Sequence, residues 1–311
     1  MKAMILAAGE GTRLRPLTLT LPKPLVPVAH TPLLVRTVAL LQTQGISQIA
    51  VNLYHKPEAI RAHFGDCLAY SNEAQLLGTA GGVKRLAGFL DTTFIVLYGD
   101  NLYDFKIAPL LAAHRAKNAL ATIATFESPN PTACGLVVTD SKGRVTRFQE
   151  KPKPSEVFTN TANAGVYILE PEVLESIPEG IACDFGNDIF PNLLEQMPGR
   201  IVALPLGGYL RDTGTPENYR QANWDLLERG EPGVHPHAQV SPEATLTGRN
   251  VIGEGCQIAE KAQLSESILW EGCQIGTGAQ VQGAILGRGV IVGPGVVVPV
   301  GAVIGEGERL R

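Results

Sequence analysis

The chain has 311 residues, a formal net charge of −4, and 44% hydrophobic against 18% charged residues, the balance of a globular protein with room for one large or two ordinary domains. Mild acidity argues against a nucleic-acid groove, which needs a dense basic surface. No apolar run approaches the roughly 20 residues that cross a bilayer, the first residues lack a signal-peptide layout, and five scattered cysteines without a CxxC pair imply reduced thiols, a cytoplasmic setting, and neither a disulfide frame nor a cysteine zinc site.

In chain order, the apolar run MKAMILAA opens the sequence. Runs at 49–53, 94–97, 121–126 and 201–206 read as strands, and 32–44 and 107–117 as helices between several of them. This alternation, up to about Leu227, implies a doubly wound, mostly parallel α/β sheet with helices on both faces. Ligands of such sheets gather beyond the carboxyl ends of the strands. A polar stretch at 228–233 then divides the chain into an expected catalytic domain, 1–227, and a tail, 234–311.

The tail obeys a different rule. From Val234 every sixth residue is apolar: Val240, Leu246, Ile252, Ile258 and Leu264. The phase slips by one to Leu269, Ile275 and Val281, and again to Leu286, Val292, Val298, Ile304 and Leu310. Small residues recur four places after many of these positions. A period of six fits a coil whose apolar residues stack along one axis, as in hexapeptide β-helices, each rung stabilised by its neighbours.

Residues 9–25, GEGTRLRPLTLTLPKPL, follow the first apolar run. Leu14 stands where a dinucleotide fingerprint or a Walker loop needs glycine, so both fail. What remains is a glycine turn offering backbone N–H groups to an anion, with Arg13 as a forked donor and Lys23 as a mobile point charge. Three prolines stiffen the return path. The pattern GxGTRLxPLT followed by PKP resembles the nucleotide-binding signature of the sugar-1-phosphate nucleotidyltransferases, and the resemblance covers nearly the whole chain. It implies a Rossmann-like catalytic domain followed by a left-handed β-helix, with Ala8, Gly9, Gly11, Thr12 and Arg13 at the nucleotide.

Two aspartates follow strand-like runs, Asp100 in YGD and Asp212 in GGYLRDTGTP. A pair of carboxylates can share one Mg²⁺ and leave positions for phosphate oxygens. The resemblance implies that both are metal ligands, Asp100 also touching the nucleotide. It further implies that EAQLLGTAGG contacts the base through Glu73 and Gly78, and that Glu150 and Lys151 of EKP, with Gly135 and Asn163, hold the sugar phosphate. An ionised carboxylate only accepts hydrogen bonds, and guanine offers two adjacent donors, so Glu73 favours GTP, with mannose 1-phosphate as its partner. UTP or dTTP with glucose 1-phosphate is the alternative. Relatives often carry Trp at Leu210 and Lys at Asn187.

His235 and His237 flank Pro236 without a third ligand in the local sequence, and read as structural. Trp270 falls on the six-residue repeat and reads as core. Hexapeptide coils also serve acyltransferases that use a histidine of the coil, but this coil has none beyond its start. A non-catalytic relative would have lost the phosphate-handling charges, and here Arg13, Lys23, Asp100, Lys151 and Asp212 all remain. The expected reaction is NTP plus sugar 1-phosphate giving NDP-sugar and pyrophosphate, by a homo-oligomer associated through the coil.

Overall fold

β-branched and aliphatic runs such as IAVNL (Ile49–Leu53) and FIVLY (Phe94–Tyr98) bury both faces, as strands covered by helices on two sides must. The computed structural model describes residues 1–311 and divides them into two compact units. The first comprises Met1–Gly9, Thr37–Gly99 and Tyr103–Leu210; the second comprises Glu10–Arg36, Asp100–Leu102 and Arg211–Arg311.

The first unit is built on a nine-stranded sheet. Lys2–Leu6 lies at its centre, parallel to Ile49–Leu53 on one side and to Phe94–Tyr98 on the other. Ala69–Asn72 extends the parallel block beyond Ile49–Leu53. Thr161–Leu169 runs antiparallel to Phe94–Tyr98 and to Ala121–Glu127. Gly135–Thr139 and Val145–Glu150 form an antiparallel hairpin, and Ile201–Pro205 pairs parallel with Ala121–Glu127. The sheet is therefore mixed where the sequence suggests mostly parallel strands. The hairpin has the physical cause: only the short DSKGR turn joins its strands, and a parallel pair needs a longer crossover. The helices Leu33–Thr43 and Ile107–Ala116 fall within a residue or two of their expected bounds. Met4, Phe94, Val96, Tyr167 and Phe190 are fully buried in this unit's main core.

In the second unit the six-residue rule becomes three parallel sheets of five, three and four strands, an arrangement consistent with a left-handed β-helix. Ile258, Ile275, Val292 and Leu310 are register partners on successive coils, 17 or 18 positions apart. Three rungs of six give the longer spacing, and each phase slip in the sequence removes one residue to give the shorter. Ile252, Ile258, Leu264, Leu269, Ile275 and Val281 line the interior, and Cys256, Ala262, Cys273 and Ala279 fill its narrower positions. Trp270 is buried at 6% exposure, but it faces away from that interior. Its indole N–H donates to the hydroxyl of Tyr219 at 2.9 Å, on the helix Pro216–Glu228. All five cysteines are free thiols.

Candidate active site

In the second unit the loop after Gly9 is fixed by its own glycine. Gly11 has φ of +66°, and a Cβ there would lie 2.9 Å from Cβ of Lys23, so only glycine lets the stem of that lysine pass. Thr18 Oγ1 donates to the Gly11 carbonyl at 2.8 Å. Leu14 and Leu17 are buried at 0% and 1% exposure and anchor the short turns Thr12–Leu14 and Leu17–Leu19. Lys23 is thereby held rigidly rather than left mobile. It is only 4% exposed; its Nζ donates to Asp100 Oδ2 at 2.7 Å and lies 3.8 Å from Asp212 Oδ1.

Asp212 is the last residue of a short strand, Tyr209–Asp212, and not a residue in the turn beyond a strand. Its position is fixed by the motif that follows. Thr215 caps the helix Pro216–Glu228, accepting from the Asn218 N–H at 3.2 Å, and Pro216 supplies the preset first helical φ. Gly214 N–H donates to Asp212 Oδ1 at 2.8 Å, and Thr213 Oγ1 donates to the Asp100 carbonyl at 2.8 Å. The Asp100 and Asp212 segments are thus tied together. The guanidinium of Arg13 packs where a side chain at Gly214 would sit. Arg13, Lys23, Asp100 and Asp212 therefore form one cluster, in which both carboxylates keep exposed surface (39% and 45%). An all-oxygen pair converging on one cation suits a hard divalent ion such as Mg²⁺.

The first unit holds the remaining predicted residues in two groups. Ala7, just before Ala8 and Gly9, donates its N–H to Asn52 Oδ1 at 2.8 Å. Asn52 Nδ2 donates to Glu73 Oε1 at 2.7 Å, and Leu77 N–H donates to Glu73 Oε2 at 3.0 Å. Glu73 is 7% exposed, with both oxygens engaged inside the protein. Its carboxylate fastens the turn before Gly78, and the local sequence gave no sign of this because Asn52 lies on a separate strand. Gly78 has φ of +71°, and a Cβ there would meet the Cys183 carbonyl at 2.6 Å. The helix Gly78–Lys84 is fastened by Asp184, whose Oδ1 accepts from Thr79 N–H at 3.0 Å and from Thr79 Oγ1 at 2.9 Å. Asp184, in DFGND, positions this helix through a partner 105 positions away, so its local sequence carries no sign of the role.

The second group surrounds Glu150. A Cβ at Gly135 or at Gly186 would lie 2.5 Å from Glu150 Oε2, so these two glycines create the space for its carboxylate. Lys151 Nζ is 3.6 Å from Glu150 Oε1 and well exposed. Burial raises the Glu150 pKa, Lys151 opposes the rise and Asp184 adds to it. Asn163 Nδ2 donates to the Tyr167 hydroxyl at 2.7 Å, and its Oδ1 accepts from Gly165 N–H at 2.9 Å. Both bonds hold the irregular stretch of the Thr161–Leu169 strand between Asn163 and Tyr167.

Residues 2–229 match the family model described as "Nucleotidyl transferase", and residues 229–310 match the GMPPB C-terminal domain. A UTP–glucose-1-phosphate uridylyltransferase of Synechocystis is 40% identical over 273 residues, covering 81% of this chain and 70% of that protein. A mannose-1-phosphate guanylyltransferase of Mycobacterium tuberculosis is 36% identical over 284 residues, covering 86% of this chain and 79% of that protein. Among solved structures, a Bacillus anthracis protein carrying the name glucose-1-phosphate thymidylyltransferase, in complex with sucrose, aligns with a TM-score of 0.66. It covers 74% of this chain and 96% of its own at 22% identity, a likeness of fold. The chain belongs to the nucleotidyl transferase family and is a nucleotidyltransferase.

Proposed function

We propose that the chain joins GTP to mannose 1-phosphate, giving GDP-mannose and pyrophosphate. An oxygen of the sugar phosphate attacks the α-phosphorus, a new P–O bond forms, and the α–β bridging bond breaks to release pyrophosphate. The nucleophile is already ionised, so catalysis consists of positioning and charge neutralisation. Arg13 stabilises the charge gathering on the departing pyrophosphate, and Lys23 holds the α-phosphate. Backbone N–H groups around Ala8, Gly9, Gly11 and Thr12 cradle the triphosphate. Lys151 takes the incoming phosphate, while Glu150, Asn163 and the backbone at Gly135 face the sugar. Glu73 acts on the base through the Leu77–Gly78 turn. Asp100 and Asp212 hold a Mg²⁺ ion, which when bound supplies further neutralisation of phosphate charge.

The observation that carries the choice of GTP and mannose is the name mannose-1-phosphate guanylyltransferase, borne by the Mycobacterium tuberculosis relative and by further relatives at 32–34% identity. The Synechocystis relative, named for UTP and glucose 1-phosphate, favours the second reading. Purified chain tested with GTP, UTP and dTTP against mannose and glucose 1-phosphates decides between them: GDP-mannose as the fastest product is expected, and UDP- or dTDP-glucose as the fastest product rejects the first reading.

The same reading assigns 1–227 to catalysis, 228–233 to a linker and 234–311 to the coil, supported by family matches that meet at residue 229. It places the protein in the cytoplasm, in keeping with five free thiols; no helix is long and apolar enough to cross a membrane. Self-association through the coil is supported by Val297 and Val300, which are 63% and 74% exposed.

A further inference from the structure

In the sequence, His235 and His237 lack a third ligand. The coil supplies one. The first turn of the β-helix passes through Val234, which bridges to Ile252 on the next coil, and two residues further on that coil stands Glu254. One nitrogen of each histidine and one carboxylate oxygen of Glu254 lie within 4.8 Å of one another. His237 Nδ1 and Glu254 Oε1 are 3.0 Å apart. The rings of His235 and His237 sit edge-on, 5.3 Å apart between centroids, and the backbone N–H of His237 donates to His235 Nδ1 at 3.2 Å.

We infer that His235, His237 and Glu254 form a site for a borderline divalent transition ion, zinc in particular, at the start of the coil. The donor set is two imidazoles and one carboxylate, the mixture that suits zinc and not magnesium. Zinc ligands about 2.0–2.2 Å from the metal stand closer together than the widest spacing here, so small side-chain rotations complete the site. The backbones need no movement, because the coil ladder fixes them. His235 N–H donates to the Ile252 carbonyl at 2.9 Å, and Ala238 N–H donates to the His235 carbonyl at 2.9 Å. Gly253 N–H donates to the Leu269 carbonyl at 2.9 Å, and Gly272 N–H donates to the Glu254 carbonyl at 2.8 Å. Pro236 restricts the turn between the two histidines.

Two ionisable neighbours have partners of their own. Glu271, one coil further, is paired with Arg288. His30 stands edge-on to His235, 5.4 Å between centroids, with its Nε2 turned to the Pro232 carbonyl at 3.0 Å. His237 and Glu254 are both well exposed, so an ion reaches them from solvent, and three protein ligands leave a fourth position for water. The bound ion would clip the turn 234–238 to the coil that carries Glu254.

The test is zinc uptake by the full chain in excess Mg²⁺, measured by competition with a chromophoric chelator, together with crystals soaked in zinc chloride and diffracted at the zinc edge. One zinc per chain is expected, with an anomalous peak between the three side chains. His237→Ala and Glu254→Gln should each weaken uptake about tenfold or more, while His63→Ala leaves it unchanged. Neither residue belongs to the proposed catalytic cluster, so nucleotidyl transfer with Mg²⁺ should be unaffected by either substitution. Absence of uptake by the native chain, equal uptake by His237→Ala and Glu254→Gln, or a peak located only at Asp100 and Asp212 or at Cys67 would overturn the inference.

Discussion

Lys23 Nζ lies 2.7 Å from one oxygen of Asp100 and 3.8 Å from one of Asp212, so a buried ammonium balances the two acids that a divalent ion would otherwise have to balance alone. Beside the phosphate contact proposed for it, this placement makes Lys23 the guard against repulsion between the carboxylates. Lys23→Met removes the charge and keeps most of the stem that packs on Gly11. Removing one partner of a fully buried pair costs about 3–5 kcal/mol. The acids here are partly exposed, so a loss of about 1–2 kcal/mol is expected after allowing for solvent screening. Thermal melts should show the deficit without metal and its partial recovery in Mg²⁺, because the ion takes over the charge balance. A deficit insensitive to Mg²⁺ would reject that role.

The Asn52–Glu73 bond yields a prediction that separates positioning from base reading. In Glu73→Gln the new amide must either present a donor to Asn52 Nδ2 or leave the Leu77 N–H without its acceptor. Such a buried mismatch costs about 1–3 kcal/mol. The KM for every NTP should rise together, with the ratio of GTP to UTP use unchanged. A switch towards UTP would show that Glu73 reads the base itself.

Glu150 gives a pH dependence. Burial raises its pKa above the ordinary carboxylate range, so the folded state favours the protonated form. The stabilisation from this group is complete below the unfolded carboxylate value of about 4.3 and is lost as pH rises through the raised folded value. Glu150→Gln is neutral throughout. It should match the native chain in denaturant midpoint at low pH and exceed it near neutrality, while the KM for sugar phosphate rises. A stability difference independent of pH would contradict this.

Gly135→Ala tests the space made for that carboxylate. The added methyl would lie 2.5 Å from Glu150 Oε2 and 2.7 Å from Phe148 Cζ, so Glu150 must turn away. The KM for sugar 1-phosphate should rise at least about tenfold, as expected when a small misplacement disturbs substrate positioning, with the KM for NTP nearly unchanged. Equal effects on both substrates would place the perturbation elsewhere.

The elements of this chain were legible where apolar residues run together or recur at a fixed period. The 49–53 run emerged as the strand Ile49–Leu53, and the phase slips at Leu269 and Leu286 became the shorter coils of the β-helix. Chemistry was legible as residue type but not as orientation. Asp100 and Asp212 stand out in the sequence, yet nothing local shows that Lys23 is buried between them. Glu73 reads as an available acceptor until Asn52, on a neighbouring strand, takes up one of its oxygens. Glu254 could not be joined to His235 and His237 from spacing within a six-residue period, because a full turn of the coil brings them together. Each miss involves a partner distant in sequence, placed by the sheet or the coil ladder.

The cluster of Arg13, Lys23, Asp100 and Asp212 as the centre of phosphate chemistry is tested most directly by pyrophosphate release from GTP and mannose 1-phosphate in Mg²⁺. Asp212→Asn keeps the shape of the side chain and an oxygen that can accept from Gly214 N–H, but removes the charge. Its rate should fall by about 100-fold or more, the scale of losing one preorganised electrostatic contact. Release at the native rate by Asp212→Asn, under conditions where the native chain turns over, would contradict the assignment.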